Sequence, residues 1–309
     1  MTLVQLEYIV ALDNHRHFVQ AAKSCFVTQP TLTMQIKKLE EELNVVIFDR
    51  HRTPLVPTKE GAKILEKARD VLREARQLRT MVKSDKELLS GKFRIAVIPT
   101  LAPYILPLFW TPFLNEFPEL DLKVEEEQSD QIIEKLKNDE LDMAILVTPV
   151  EDRQIKEHPV FYEAFLAYTA QNQYFYKQEM VEPSDIENKN LLILNEGHCF
   201  RNQVLNICSQ DSKRKSKFVY ESGSIETLIR MVDKGYGYTL IPELGVPQHP
   251  KDPKMIKKFK EPQPVREVSV ITHKSFVNDL LLEKVIDTLQ SVIPESMKKV
   301  HRRKRIAWK

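Results

Sequence analysis

The chain has 309 residues, of which 42% are apolar and 29% are charged. This length predicts two or three domains, each large enough to bury a core. No uncharged apolar run approaches the ~18 residues that span a bilayer, and the N-terminus lacks a basic segment and a signal core, so we exclude a membrane protein and expect a cytoplasmic one. Three cysteines are too few for a disulfide scaffold and fit a reducing compartment.

The formal net charge of +2 is unevenly distributed along the chain. Residues 1–90 contain 15 Lys and Arg against 12 Asp and Glu, residues 296–309 contain seven against none, and the middle contains 24 against 32. A basic front, an acidic body and a basic tail indicate a polyanionic partner that meets one part of the molecule. For the tail, composition leaves two roles open, an increase in DNA affinity and a disordered solubilising extension.

Residues 1–57 predict three helices followed by a two-stranded ribbon. Apolar residues recur at helical spacing over 3–12, 18–22 and 29–43, and a threonine precedes the third helix as its expected N-cap. Apolar runs within 45–56 flank a basic tip, which is typical of a short antiparallel ribbon. The order of helix, tight turn and helix predicts a helix-turn-helix.

A helix-turn-helix places its second helix in the major groove of DNA, with the first turn of that helix at the base edges. Arginines on the ribbon would contact phosphate or the minor groove. The predicted DNA contacts are Gln29, Pro30, Thr31, Thr33, Gln35, Lys37, Lys38, Arg50 and Arg52. A solvated polar face is the alternative, and polarity alone does not exclude it.

Residues 58–90 predict one long linker helix, capped by Thr58. Its apolar residues step alternately by four and three positions, the pattern of a coiled-coil seam. The predicted dimer seam consists of Ile64, Ala68, Val71, Ala75, Leu78 and Val82. Arginines at 69, 73, 76 and 79 are expected to keep the other faces in solvent. So narrow a seam favours a partner helix over packing on the same chain.

Residues 91–295 alternate short apolar runs with helical patterns, which is typical of an α/β fold. We expect two lobes, lobe I at about 91–165 and 267–295 and lobe II at about 166–266. A strand is expected at 218–220. Ligands of such sheets lie beyond the carboxyl ends of the strands, which here means the cleft between the lobes.

Two of the three cysteines, Cys199 and Cys208, lie nine positions apart in a predicted helix. Gly197 would form the preceding turn, and the helix N-terminus, a protonated His198 and Arg201 would favour the Cys199 thiolate. Cys208 is expected to be an ordinary buried thiol. One continuous helix would hold the two Cα atoms ~13–14 Å apart, whereas a disulfide needs ~4.4–6.8 Å. Oxidation would therefore have to break the helix and would change the shape of the domain.

Two buried structural cysteines are the alternative to a sensor pair. A zinc site is disfavoured, because His198 and Cys199 are adjacent and no second pair of ligands completes a tetrahedron. We expect no metal and no cofactor, and we assign no role to Cys25.

The N-terminal segment resembles the winged helix-turn-helix of LysR-type transcriptional regulators. The matching stretches read FVQAA at 18–22 and VTQPTLTMQIKKLEEEL at 27–43, and FDR at 48–50 and PTKEG at 57–61 continue the match. The resemblance implies a winged helix-turn-helix, a dimerising linker helix and a two-lobed α/β body like that of periplasmic binding proteins. Met34 stands where many family members have a basic residue.

The thiol segment resembles the peroxide-sensing OxyR branch of this family. The matching motifs are EGHCFRNQ at 196–203 with Cys208, VIPTLAPY at 97–104, EQS at 127–129 and LD at 141–142. By this resemblance Cys199 is the peroxidatic cysteine and Cys208 is the resolving cysteine.

The same resemblance implies a peroxide pocket, which consists of Thr100, Ser129, Gly197, His198 and Arg266. Arg266 matches the basic residue that stabilises the thiolate. Ser129 stands where the branch usually has threonine, so the hydroxyl is kept, a methyl group is lost and peroxide binding is expected to persist.

We therefore expect a homodimeric or homotetrameric transcriptional regulator that binds double-stranded DNA, responds to hydrogen peroxide and is reset by a cellular thiol reductant. RNA polymerase is a candidate partner, and no membrane contact is expected. The chemistry would be stoichiometric, so we do not expect an enzyme. One alternative is a LysR-type regulator triggered by a small organic co-inducer in the cleft, with both cysteines incidental. Another is a thiol peroxidase or a solute-binding module.

Overall fold

The structure is a computed structural model that describes five stretches of the chain. These are residues 1–186, 190–208, 221–247, 252–299 and 303–308. The strand expected at 218–220 lies outside them. No helix in the described stretches is long and apolar enough to cross a membrane. The chain divides into two compact units, Met1–Ser84 and Asp85–Lys309.

The first unit is described throughout and has the predicted order of elements. They are α1 (Leu3–His15), α2 (Phe18–Ser24), α3 (Gln29–Leu43), β1 (Phe48–Asp49), β2 (Val56–Pro57) and α4 (Lys59–Thr80). The two short strands pair antiparallel and form the expected ribbon. The predicted apolar faces of α1 and α3 are buried in one core, which includes Leu6, Ile9, Leu12, Leu32, Ile36 and Leu39.

Threonine caps begin α3 and α4, as the sequence predicts. The Thr28 hydroxyl accepts a hydrogen bond from the backbone N–H of Thr31 at 3.4 Å, and the Thr58 hydroxyl accepts one from Gly61 at 2.9 Å. At Gly61 a Cβ would collide with the carbonyl group of Ile47. Glycine is therefore required where α4 starts against the segment that leads into the ribbon.

The linker helix α4 differs from its prediction in three respects. Ala68 is buried in the core of its own unit together with Leu65 and Leu72, so it is not available to a partner helix. Arg69 and Arg73 are buried rather than solvated. The Arg69 guanidinium donates to Asp13 at 2.5 Å, and that of Arg73 donates to Asp70 at 2.6 Å. The helix ends at Thr80 instead of continuing to residue 90, so Val82 lies beyond it, and Asp85–Leu88 form a separate short helix.

The remaining seam residues are more accessible. Val71 and Leu78 are 43% and 69% exposed, Ala75 between them is half-buried, and Ile64 packs partly against the core. The apolar strip that is left runs from Val71 to Leu78 on the C-terminal half of α4. Dimerisation through this strip stays a prediction.

The second unit alternates strands and helices. In its first half these are α5 (Asp85–Leu88), β3 (Gly91–Val97), α6 (Ala102–Glu116), β4 (Leu120–Glu126), α7 (Ser129–Lys137), β5 (Met143–Thr148) and β6 (Ile155–Thr169). In its second half they are β7 (Met180–Val181), β8 (Ile193–Leu194), α8 (Cys199–Ile207), β9 (Glu221–Ser222), α9 (Ile225–Asp233), β10 (Tyr238–Pro242), β11 (Ile256–Phe259), β12 (Gln263–His273), α10 (Asp279–Val292) and β13 (Arg303–Arg305). The predicted α/β class is confirmed.

Two long strands connect the two halves of this unit. The first part of β6 pairs antiparallel with β12, and from Phe165 onward β6 pairs with β10 and β11. Among the described residues the main sheet has the order β4-β3-β5-β12-β6-β11-β7. One core lies around Phe109 and Ile145, and a second lies around Phe175 and Ile241. The chain passes from the first core to the second in β6 and returns in β12.

The C-terminal tail is not the disordered extension that composition allowed, at least over 303–308. Strand β13 pairs parallel with residues Gln263–Val265 of β12, and the N–H of Ile306 donates to the carbonyl of Val265 at 2.8 Å. Ile306 and Trp308 are buried. Two apolar side chains within a run of basic residues thus anchor the tail to the body of the unit.

Candidate functional site

Helix α8 begins at Cys199 and ends one residue before Cys208. Both cysteines are free thiols and both are buried. Along one α-helix their Cα atoms are about 13 Å apart, well beyond the reach of a disulfide. The predicted helix is therefore present, and it holds the two sulfur atoms apart.

The turn before α8 depends on glycine. Gly197 has φ +92°, a conformation that side chains other than glycine rarely adopt. A Cβ there would also collide with the side-chain amide of Gln128, which precedes α7. The turn therefore packs directly against the start of α7 and directs Cys199 into the interior.

The Cys199 thiol is subject to opposing effects. Burial raises the pKa of Cys199, whereas the positive charge of Arg266, a polar contact with Ser129 and the backbone N–H groups at the start of α8 lower it. Burial is the largest of these effects, so the thiol pKa lies above its ordinary value. The resting group is the protonated thiol.

Two of the groups expected to favour the thiolate have other surroundings than the sequence indicates. Burial lowers the pKa of His198, which favours the neutral imidazole. Arg201 donates to the backbone carbonyl of Leu194 at 2.7 Å and so ties α8 to the preceding strand. Arg266, which lies 67 positions further along the chain than Cys199, provides the positive charge that acts on the thiol.

Arg266 is held on all sides in the interior. Its guanidinium donates to the Glu163 carboxylate at 2.7 and 2.8 Å and to the hydroxyl and carbonyl oxygens of Thr100, each at 2.9 Å. Its Cζ atom lies 5.2 Å from the ring centroid of Phe200. Burial raises the pKa of Glu163, and the pairing with Arg266 opposes that rise. These contacts fix the guanidinium beside the start of α8.

Ser129 provides a second polar group at the thiol. Its Oγ atom is buried and, among the described residues, has no hydrogen-bond partner of good geometry. Thr100 Oγ1 accepts from Arg266, so its own proton remains available to a third group. Thr100, Ser129, Arg266 and Cys199 are thus brought together by β12 and by the starts of α6, α7 and α8.

Glu163 is the functional residue that sequence reasoning missed. It is fully buried in β6, and its carboxylate also accepts from the backbone N–H of Leu244 at 2.8 Å. The available signal was a single acidic side chain within the apolar strand from Val160 to Tyr168. Such a residue requires a buried cation, and Arg266 in another apolar strand is the matching one.

The predicted DNA contacts lie on the surface of the first unit. Gln29, Pro30, Lys37, Lys38, Arg50 and Arg52 are exposed, and Thr31, Thr33 and Gln35 are half-buried. The side-chain oxygen of Gln35 accepts from Gln5 at 3.3 Å, which ties it to α1. Arg50 donates to Glu40 at 2.8 Å, so part of its charge is compensated. A groove between α3 and the ribbon is lined by Lys37, Arg50, Arg52 and Lys59.

Two family models match the chain. The bacterial regulatory helix-turn-helix of the lysR family matches residues 3–62, and the LysR substrate binding domain matches residues 86–294. The chain belongs to the LysR family of transcriptional regulators. Within this family it is a member of the OxyR branch, as its relatives indicate.

Three relatives of this LysR-type regulator place it in that branch. A hydrogen peroxide-inducible genes activator from Dickeya chrysanthemi is 38% identical over 272 residues, which is 88% of this chain and 89% of the relative. A full-length OxyR cysteine-to-aspartate variant from Pseudomonas aeruginosa has a TM-score of 0.82 at 32% identity and covers 95% of this chain and 99% of its own. An H2O2-bound OxyR cysteine-to-serine variant from Corynebacterium glutamicum has a TM-score of 0.62 at 27% identity. It covers 94% of this chain and 92% of its own.

Membership in the LysR family gives the first unit of this regulator its role in DNA binding. The match over residues 3–62 includes α3, the ribbon and the start of α4. The family is one of transcriptional regulators rather than enzymes. The LysR-type regulator therefore combines a DNA-binding unit with a second unit in which a buried cysteine faces a fixed guanidinium.

Proposed function

We propose that this LysR-type regulator senses hydrogen peroxide with Cys199 and Cys208 and transmits the event to its DNA-binding unit. In this proposal residues 1–57 bind DNA, residues 58–90 form the dimer contact, and residues 91–295 detect the peroxide. The observation that carries the proposal is the position of Cys199, a buried free thiol between Ser129 and Arg266, at the opposite end of α8 from Cys208. The relative from Dickeya chrysanthemi, which is named as an activator of hydrogen peroxide-inducible genes, supports it.

In the first step the Cys199 thiolate attacks one oxygen of hydrogen peroxide. The O–O bond breaks, Cys199 is oxidised to the sulfenic acid, and the second oxygen leaves as water with the thiol proton and the remaining peroxide proton. Ser129 and the free proton of Thr100 are suited to hold the peroxide, and Arg266 stabilises the thiolate. Gly197 and His198 contribute the turn that brings the sulfur atom to this pocket.

In the second step the Cys208 thiolate attacks the sulfenic sulfur. The S–S bond forms, the S–O bond breaks, and the oxygen leaves as water, so that two thiols and one peroxide give one disulfide and two waters. Burial raises the pKa of Cys208 to about 12, so this thiol is a poor nucleophile in the reduced fold. Cys208 becomes reactive only once α8 has unfolded and both sulfur atoms have left their buried positions.

The unfolding of α8 is the step that converts chemistry into a change of shape. The disulfide requires Cα atoms within ~7 Å, so the turns between the two cysteines cannot persist. In a homodimer or homotetramer this rearrangement re-spaces the DNA-binding units and changes which half-sites they contact. A cellular thiol reductant returns the disulfide to two thiols, and RNA polymerase is the partner that would receive the change on DNA.

Peptide mapping by mass spectrometry after a pulse of one equivalent of peroxide tests the proposal. We expect a peptide that joins Cys199 to Cys208, with Cys25 still reduced. The Cys208→Ser variant should stop at the sulfenic acid, which dimedone traps. Two reduced thiols after the pulse would overturn the proposal and favour the organic co-inducer alternative.

A further inference from the structure

The C-terminal tail lies against α8, the helix that has to unfold. Three side-chain amides on α8 donate to consecutive backbone carbonyls of the tail. They are Asn202 to Trp308 at 3.1 Å, Gln203 to Ile306 at 2.7 Å and Asn206 to Ala307 at 2.9 Å. Residues at these spacings share one face of a helix, so a single face of α8 holds the tail.

The tail is also fixed on its other side, to the strand that carries Arg266. Strand β13 pairs with the start of β12, and Arg305 donates to both oxygens of the buried Glu267 carboxylate at 2.8 and 2.9 Å. Glu267 is the neighbour of Arg266 in sequence. The tail therefore links α8 to the strand that positions the cation of the redox site.

The two buried tail residues belong to different cores. Ile306 lies in the core that contains Cys208, and Trp308 lies in the core that contains Cys199. Exposure of either side chain to water is unfavourable, because each buries a large apolar surface. The tail thus packs into both ends of the structure that the disulfide would rearrange.

We propose that residues 303–308 form a latch that holds α8 in its helical, reduced form, with Asn202, Gln203 and Asn206 as the positioning residues that close it. This inference rests on the proposed function. Formation of the disulfide unwinds the turns that carry these three amides, so their bonds to the tail cannot all persist. The latch therefore opposes the second chemical step and leaves the attack of Cys199 on peroxide unaffected, and the tail is released when the disulfide forms.

Trp308 reports directly on the latch. The chain has two tryptophans, so a Trp110→Phe background leaves Trp308 as the only tryptophan, which can be excited selectively over the tyrosines. We expect its emission to shift to the red and its quenching by acrylamide to increase on oxidation with one equivalent of peroxide. In the Cys208→Ser variant, which stops at the sulfenic acid, both should stay at their reduced values.

Kinetics provide the second readout. Asn202→Asp with Asn206→Asp keeps the size of each side chain, removes both amide donors and places a carboxylate against each carbonyl. Disulfide formation, followed by alkylation and mass spectrometry, should accelerate about five- to tenfold, since two hydrogen bonds no longer hold the helix. Dimedone-trapped sulfenic acid should appear at the unchanged rate.

A deletion of residues 303–309 separates the latch from an intrinsic effect on the helix. In the truncated chain the two aspartate substitutions should cause no further acceleration, because the carbonyls they act on are gone. If the truncated chain does not fold, the rate of disulfide formation in the full-length double variant and the Trp308 emission still test the latch.

The outcomes distinguish the latch from the function on which it rests. Absence of any Cys199–Cys208 disulfide overturns the proposed function. A disulfide that forms while Trp308 stays buried, or an unchanged rate in the double variant, overturns the latch alone.

Discussion

At the scale of residues, the redox site places one reactive group among fixed neighbours. The positive charge that lowers the Cys199 pKa belongs to Arg266, whose position is determined by Glu163 and Thr100, residues distant in sequence. Only part of this arrangement could be predicted from the sequence. The start of the helix at Cys199 follows from local sequence pattern. That Arg266 rather than Arg201 supplies the charge at the thiol depends on contacts between strands, which no local pattern encodes.

The raised thiol pKa predicts how the first chemical step depends on pH. The thiolate is the nucleophile, so below the pKa the rate constant for peroxide oxidation should rise about tenfold per pH unit. Because the Cys199 pKa lies above its ordinary value, the rise should continue past pH ~8.5 without a plateau. Stopped-flow oxidation of the Cys208→Ser variant isolates this step, and a plateau below pH 8 would contradict the prediction.

At the scale of elements, the periodic segments were the predictable ones. The helices of the first unit and their threonine caps follow from spacing and from residue type alone. Strand β4 has no continuous apolar run, so the pattern of short apolar runs does not predict it, although its alternation of apolar residues with Asp121, Lys123 and Glu125 is typical of a half-buried strand. The tail was missed because Ile306 and Trp308 stand in a basic run, and their partners on β12 and α8 are distant in sequence.

Helix α4 also has contacts with residues distant in sequence that its own pattern does not predict. Its seam was assigned from spacing, yet the helix turns Ala68 and Arg69 towards its own unit, where Asp13 pairs with the arginine. Because Asp13 lies 56 positions from Arg69 in the sequence, the spacing of residues within the helix cannot predict this pair. The exposed strip that includes Val71 and Leu78 is the part of the seam that a second copy could cover.

The Leu78→Asp substitution tests that strip. Leu78 is 69% exposed, so the substitution should change the stability of the unit by less than ~0.5 kcal/mol. A carboxylate in an apolar helix pair should weaken dimerisation by at least tenfold, as measured by analytical ultracentrifugation. The Arg79→Asp variant, one position away on a different face, is the control and should stay dimeric. An unchanged dimer in Leu78→Asp would exclude this surface as the interface.

At the scale of the whole molecule, the net charge of +2 separates into parts with different roles. The basic DNA-binding end and the acidic body carry opposite charge, so phosphate contacts should come from the first unit. Lys37 and Lys38 are exposed on α3, where Lys37 lies 3.7 Å from Glu41 in a solvent-exposed ion pair. Arg50 has the closer partner, since it donates at 2.8 Å to Glu40, whose side chain is only 11% exposed. We therefore expect the two lysines to contribute more to the salt dependence of binding than Arg50.

Fluorescence anisotropy of DNA binding between 50 and 200 mM NaCl checks this expectation. Lys37→Ala with Lys38→Ala should weaken binding to every sequence and reduce the slope of log affinity against log salt by about one to two. The Lys92→Ala variant removes an exposed lysine from the acidic body and serves as the control. Equal slopes in the double variant and the unmodified protein would count against α3 as the phosphate-contacting helix.

The crossing between the two cores has a mechanical consequence. Strands β6 and β12 pass from one core to the other, and β13 lies alongside β12 at that point, so three strands resist bending there. A ligand of two heavy atoms supplies at most about 3 kcal/mol of non-covalent binding energy, at ~1.5 kcal/mol per atom. Reversal of a two-state equilibrium from 1:99 to 99:1 takes about 5.5 kcal/mol. In the proposed mechanism, binding of peroxide alone is therefore too weak to drive a rearrangement across these three strands, and the driving force has to come from formation of the Cys199–Cys208 disulfide.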